Sequence, residues 1–182
     1  MKYALTGGIG SGKSYVSDIL HSIYGIEVYD CDRHAKQLMR SDIELQRRLS
    51  AAVGQEVFPD GILDKALLSR FLLASEDNNR IVNSIVHPAV AEDFIRSGQT
   101  WMESAILFEA GFEQYVDSVV CVTAPLEVRV QRIMQRDNIS RERALEWINR
   151  QMPQNEKVRR ADYVIVNDGI RDIASQLSSL MP

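Results

Sequence analysis

The chain has 182 residues, 45% of them hydrophobic and 25% charged, which is enough for one compact domain with its own core and unlike the composition of a disordered segment. A formal net charge of −4 excludes the broadly basic surface that non-specific nucleic-acid binding requires. Cys31 and Cys121 are the only cysteines and neither belongs to a CxxC or Cys/His cluster, which excludes a disulfide framework and a zinc site.

The first strand is predicted over Lys2–Thr6. Met1 leads straight into it and no window is apolar over the length of a bilayer crossing, so a cytoplasmic protein with no leader and no membrane partner is expected. Gly7-Gly8-Ile9-Gly10-Ser11-Gly12-Lys13-Ser14 follows and satisfies the phosphate-loop pattern GxxxxGK[ST]. Its glycines let successive backbone N–H groups turn onto phosphate oxygens, a helix starting near Lys13 adds the positive end of its dipole, and Lys13 reaches the β- and γ-phosphates. Ser14 is the expected Mg²⁺ ligand.

A second strand, Ile26–Asp30, carries Asp30 and Asp32 at its carboxyl end. Were the strand to continue, alternation would place both on one side. Either aspartate suits a base that takes a proton from an acceptor hydroxyl, and either suits a helix cap equally well. The next seventy or so residues, from Cys31 to Thr100, are mostly helical in pattern. Within them Ser41 and Glu44 form a candidate capping box, and a helix is predicted to begin at Pro88. His87, just before that proline, reads as structural when taken alone.

A third strand is predicted over Trp101–Phe108, delivering Glu109 to the same end of the sheet, a fourth over Ser118–Thr123, and a fifth over Asp162–Val166. Pro125 suits the first turn of the helix after the fourth strand. From Leu126 to Arg160 lie nine of the twenty-one basic residues but only five of the twenty-five acidic ones. Arg129, Arg132 and Arg136 share a helical face there, and as a group they favour a lid that neutralises transferring phosphate and excludes water, although a solvated face is the more ordinary account of any single arginine. Strands alternating with helices predict an α/β fold, a five-stranded parallel sheet flanked by helices, with ligands at the carboxyl ends of the strands. The expected organisation is a single domain over 1–182, with a helical insertion at about 33–100 and a helical lid at about 125–160.

Taken in order, Leu5-Thr6-Gly7-Gly8-Ile9-Gly10-Ser11-Gly12-Lys13-Ser14, Tyr29-Asp30-Cys31-Asp32, Val86-His87-Pro88, Ile106-Leu107-Phe108-Glu109, Gln135-Arg136-Asp137, Arg150-Gln151-Met152 and Ala161-Asp162-Tyr163-Val164-Ile165 with Asn167 and Gly169 resemble the dephospho-CoA kinase family. The resemblance covers nearly the whole chain. It implies transfer of phosphate from ATP to the ribose 3′-hydroxyl of dephospho-CoA, the last step of coenzyme A biosynthesis, with Mg²⁺ accompanying ATP. It also implies Asp32 as base, Lys13, Arg136 and Thr6 as further catalytic residues, and ATP on Gly8, Ile9, Gly10, Ser11, Gly12, Lys13, Ser14, Tyr15 and Arg136. The acceptor would meet Asp30, Asp32, His87, Glu109 and Arg150, with the insertion as its lobe. Tyr15 stands where the family has threonine, and Ala105 where it has proline. The alternatives are another small-molecule or nucleoside monophosphate kinase with the same loop, or an ATP-binding regulatory module without turnover. No NKxD motif follows the fourth strand, which counts against a GTPase switch. Oligomeric state is left open, a monomer being compatible.

Overall fold

The computed structural model describes residues 1–180. In chain order the elements are β1 (Tyr3–Thr6), α1 (Lys13–Tyr24), β2 (Val28–Asp30), α2 (Cys31–Ser41), α3 (Ile43–Val53), α4 (Lys65–Ala74) and α5 (Glu76–Ser97). They continue with β3 (Trp101–Glu103), β4 (Ser118–Thr123), α6 (Leu126–Asp137), α7 (Arg141–Asn149), α8 (Gln154–Arg160), β5 (Tyr163–Val166) and α9 (Ile173–Ser178). Two compact units emerge, one formed by residues 1–29 with 99–182 and the other by residues 30–98.

The first unit holds a parallel sheet in the order β2-β3-β1-β4-β5. Its middle strands are apolar on both faces, as a sheet covered on two sides requires: Ala4, Leu5, Val119, Val120, Cys121 and Val122 are all buried. Leu5, Val120, Val122 and Ile165 pack with Val16 and Leu20 of α1 and with Ile173 and Leu177 of α9. Tyr3 stacks on Trp101 across β1 and β3, ring centroids 4.7 Å apart. Burial pushes the Cys121 thiol up to about 11, which makes it an inert core group. A separate cluster, Val130, Ile133 and Ala144, joins α6 to α7, and Ile9 packs against it.

The helical unit is held by a stripe on α5 in which Val82, Val86, Val90 and Phe94 recur every fourth residue and are buried. Leu45 and Leu49 of α3 and Leu68 of α4 supply further buried apolar groups. His34 Nδ1 of α2 lies 3.2 Å from Asp93 Oδ2 of α5.

Several local expectations are corrected. β3 stops at Glu103 instead of running to Phe108. Past it, the chain coils so that the Ala110 N–H donates to Ile106 O at 2.8 Å and the Phe112 N–H to Leu107 O at 2.9 Å. Leu107 and Phe108 are buried in that coil, so their apolar character reflects burial without strand pairing. β2 does not continue past Asp30, which caps α2 by accepting the Arg33 N–H at 2.9 Å. Asp30 and Asp32 therefore sit on a helix start and not on one side of a strand. Pro88 lies inside α5, whose continuous buried stripe outweighs the one hydrogen bond that proline removes. Pro125 is the residue before α6. Finally, α3 is capped by Asp42, which accepts the Leu45 N–H at 3.0 Å, while the Ser41 hydroxyl donates back to Gln37 O within α2.

Among the described residues no helix is long and apolar enough to cross a membrane. The cap assignment is testable by urea unfolding. Asp42→Ala is expected to cost about 1 kcal/mol, and Ser41→Ala less than about 0.5 kcal/mol; the reverse ranking would restore the Ser41 capping box.

Candidate active site

The phosphate loop joins β1 to α1 inside the first unit. β1 ends at Thr6, whose buried hydroxyl donates to Ser104 O at 2.8 Å and so ties the loop entrance to the end of β3. Gly12, at φ 93°, is the residue before α1; a Cβ there would stand 2.1 Å from Asn167 Nδ2, so only glycine meets both requirements. No side chain caps α1 and its first turn holds no acid, so nothing on that helix offsets the positive end of its dipole. Ser14 and Tyr15 are exposed on this turn. Lys13 Nζ lies 4.0 Å from Glu103 Oε1, and the Ser17 hydroxyl donates to Glu103 Oε2 at 3.1 Å. Glu103 is the last residue of β3, in register with Leu5 of β1, which brings a carboxylate to the loop lysine.

The loop carbonyls are held by the lid segment. Arg129 Nε donates to Ile9 O at 2.9 Å. Arg132 Nη1 donates to Gly10 O at 3.4 Å, Ser11 O at 3.3 Å and Asn167 O at 3.2 Å, and its Nη2 to Asn167 Oδ1 at 3.2 Å. Asn167 Nδ2 donates to Ser11 O at 2.9 Å. Two of the loop's amides meet side-chain carbonyls: Gly8 N–H donates to Gln154 Oε1 and Ile9 N–H to Gln151 Oε1, each at 2.8 Å. The Ser11 hydroxyl is buried and has no hydrogen-bond partner among the described residues.

The remaining candidates are each described by their own partners. Arg136 is exposed and its guanidinium pairs with Asp137 at 2.7 Å, so the face expected to present three arginines together presents Arg129 and Arg132 to the loop while Arg136 engages its neighbour. Arg150 is exposed and donates to Glu146 Oε1 at 2.7 Å. Glu109 accepts two hydrogen bonds from Lys157 Nζ, at 2.8 and 3.0 Å, and one from Met152 N–H at 3.0 Å. Lys157 is fully buried and also donates to Ala105 O at 2.6 Å. In the helical unit, Asp30 is spent on its cap, Asp32 lies exposed in the first turn of α2, and His87 sits mid-way along α5, where burial lowers its pKa.

The sequence reading missed Glu103, Gln154 and the distinct roles of Arg129 and Arg132. Glu103 was concealed inside an overlong strand, although a carboxylate at the end of a strand flanking β1 is a usable signal. For the arginines, helical spacing shows which residues share a face but not what that face meets.

A parallel sheet with a GxxxxGKS loop between its β1 strand and a dipole-bearing helix is the fold of a P-loop kinase. The family model for dephospho-CoA kinase matches residues 1–172. The chain is 42% identical to the dephospho-CoA kinase of Bacteroides fragilis (strain YCH46), covering 100% of this chain and 91% of that one. Among solved structures it superposes on TT1252 from Thermus thermophilus with a TM-score of 0.82 and 32% identity, over 100% of this chain and 98% of that one. Dephospho-CoA kinase from Campylobacter jejuni shares the fold at a TM-score of 0.66 and 24% identity, over 99% and 96%. The chain belongs to the dephospho-CoA kinase family, a family of phosphotransferases.

Lys157 is the buried charge whose loss this geometry makes most costly. Lys157→Ala is expected to lower stability in urea by about 2 kcal/mol, because the fully buried stem leaves a cavity and Ala105 O loses its donor, while the exposed Glu109 carboxylate is rehydrated. A loss below about 0.5 kcal/mol would show that the pair holds nothing.

Proposed function

We propose that the chain transfers the γ-phosphoryl group of ATP to the ribose 3′-hydroxyl of dephospho-CoA, giving CoA and ADP as the last step of coenzyme A biosynthesis. The observation that carries this is the GxxxxGKS loop at an uncapped helix start, with Lys13 and the Glu103 carboxylate beside it. Amides from Gly8 to Ser14 and the α1 dipole receive the polyphosphate, and Lys13 exchanges Glu103 for the β- and γ-oxygens. Thr6 holds the loop entrance to Ser104.

Asp32 takes the acceptor hydroxyl's proton as its oxygen attacks the γ-phosphorus, and the bond to the β–γ bridging oxygen breaks to release ADP. Asp30 occupies the capping position, which leaves the Asp32 carboxylate exposed for this role. The helical unit, residues 30–98, is the acceptor lobe in this reading, with His87 on its long helix. Arg136 is the lid cation that releases Asp137 to meet phosphate, while Glu109 and Arg150 act toward the acceptor by positioning the segment between them.

Among the described residues no cluster of three or more His, Cys, Asp or Glu could hold a metal ion. That suits Mg²⁺ arriving with nucleotide, since it takes few protein oxygens and several from phosphate and water. The Ser14 hydroxyl and the Glu103 carboxylate are the hard donors that would hold it, and when bound it neutralises charge on the β- and γ-oxygens. A cytoplasmic location suits this small-molecule chemistry.

With MgATP, ADP release is expected to rise only when dephospho-CoA is supplied. Equal release with adenosine, nucleoside monophosphates or no acceptor would remove the acceptor assignment in favour of another kinase of this fold. Asp32→Asn is expected to keep ATP affinity and lower kcat by about 10²-fold or more, and near wild-type turnover would return Asp32 to a helix-end role.

A further inference from the structure

Arg129 is the least ordinary charge in the first unit. Only 5% of it is exposed, yet among the described residues no carboxylate pairs with it. Its side chain makes one hydrogen bond there, from Nε to Ile9 O at 2.9 Å. Burial lowers its pKa, opposed in part by the Cys121 thiol and by no carboxylate. An ion taken out of water costs several kcal/mol unless a counter-charge compensates it. Lys157, the other buried cation, has Glu109; Arg129 has no such partner.

The surroundings of that guanidinium are those of an anion site. It presses on Gly8, where a Cβ would stand 2.3 Å from Arg129 Nη2 and 2.7 Å from Gln154 Oε1. Gly8 has no positive φ, so a side chain there would require only that these two side-chain ends move aside. Arg129, Gln151 and Gln154 line a cavity of about 230 Å³. The two glutamine carbonyls in it already accept N–H groups from Gly8 and Ile9, which shows that these donors are aimed at an acceptor on this side of the loop. Neutral carbonyls are the weaker class of partner for such donors. A phosphate oxygen forms charge-assisted bonds roughly twice as strong.

We infer that Arg129 contacts the transferring γ-phosphate of ATP at the Gly8–Ile9 end of the loop, with the Gln151 and Gln154 carbonyls holding the two amides that the same phosphate takes over. This deepens the proposed function and rests on it for the identity of the nucleotide. Nε stays anchored on Ile9 O, so the guanidinium is positioned by the loop it serves. The Nη groups supply the charge-assisted bonds, and the phosphate supplies the counter-charge that the protein lacks. Arg136, paired in the open with Asp137, is then not the only lid arginine that acts on phosphate.

The test compares two nucleotides on purified Arg129→Gln and Arg129→Lys variants, with urea unfolding alongside. The Gln variant is expected to bind the non-hydrolysable analogue AMP-PNP about tenfold or more weakly, while ADP affinity stays within about threefold of wild type. Its kcat with MgATP and dephospho-CoA is expected to fall by at least about tenfold, with partial recovery in Arg129→Lys, which keeps the charge but not the fork. Equal weakening of ADP and AMP-PNP would overturn the γ-phosphate contact and leave Arg129 as a strut for the loop, as would unchanged binding of both. If Arg129→Gln unfolds early, the ADP to AMP-PNP ratio of Arg129→Lys decides the matter by the same criterion. Nucleotide binding needs no acceptor, so failure here is separable from failure of wild-type protein to phosphorylate dephospho-CoA.

Discussion

Backbone amides can grip a polyphosphate only if the carbonyls of the same loop are turned away and satisfied, because each peptide carries both groups and a buried carbonyl without a donor is costly. The segment between Thr6 and Lys13 meets that condition from Gly8 to Ser11. Gly8 O accepts the Ser11 N–H at 3.1 Å, Ile9 O accepts Arg129, Gly10 O accepts Arg132, and Ser11 O accepts both Arg132 and Asn167. Apart from the Ser11 N–H, the donors come from α6 and from the residue after β5, far along the chain. The loop is thus shaped by the lid helix root and the last strand, and its glycines make that shape possible without imposing it.

The root of the lid is fixed in turn by one ion pair, between a buried lysine and a more exposed carboxylate. Lys157 on α8 reaches Ala105 O and both oxygens of Glu109, and Glu109 receives the Met152 N–H. Met152 lies between Gln151 and Gln154, the two residues whose carbonyls meet the loop amides. Glu109 therefore positions the segment whose glutamine carbonyls meet the phosphate loop. A buried lysine is a poor source of stability compared with an apolar core, but it specifies one arrangement, since its ammonium donors have few alternative acceptors in that place.

What the sequence discloses follows from the range of each interaction. The phosphate loop was legible because the motif is local: glycine for left-handed φ and close approach, a lysine and a hydroxyl at the start of a helix. The five strands were legible as apolar runs, and their parallel order from the alternation with helices. The limits of β3 were not, because Leu107 and Phe108 are as buried in a coil as they would be in a strand. Nor was the cap of α3, where Ser41, Asp42 and Glu44 offer overlapping signals and the acceptor that wins is decided by where α2 ends. Pro88 marks a boundary by local rules, and the buried stripe through Val82, Val86, Val90 and Phe94 overrides them. The arginines were legible as a group and not as individuals, since the difference between Arg129 and Arg136 lies in what each meets.

The charge distribution then acquires a physical reading that composition alone does not give. A chain of net charge −4 concentrates positive charge between Leu126 and Arg160, where exposed arginines are mostly neutralised by nearby acids: Arg141 by Glu127, Arg143 and Arg150 by Glu146, Arg159 by Glu156. Such solvent-facing pairs contribute little each and are screened by salt. Among the described residues, the charges of this segment left without an acid are Arg129 and Arg132, the two turned inward against the loop, where the medium is least able to screen them. Excess positive potential is therefore focused on the phosphate loop and not spread over the lid surface, which is the arrangement a polyanionic nucleotide requires and a solvated helix face does not.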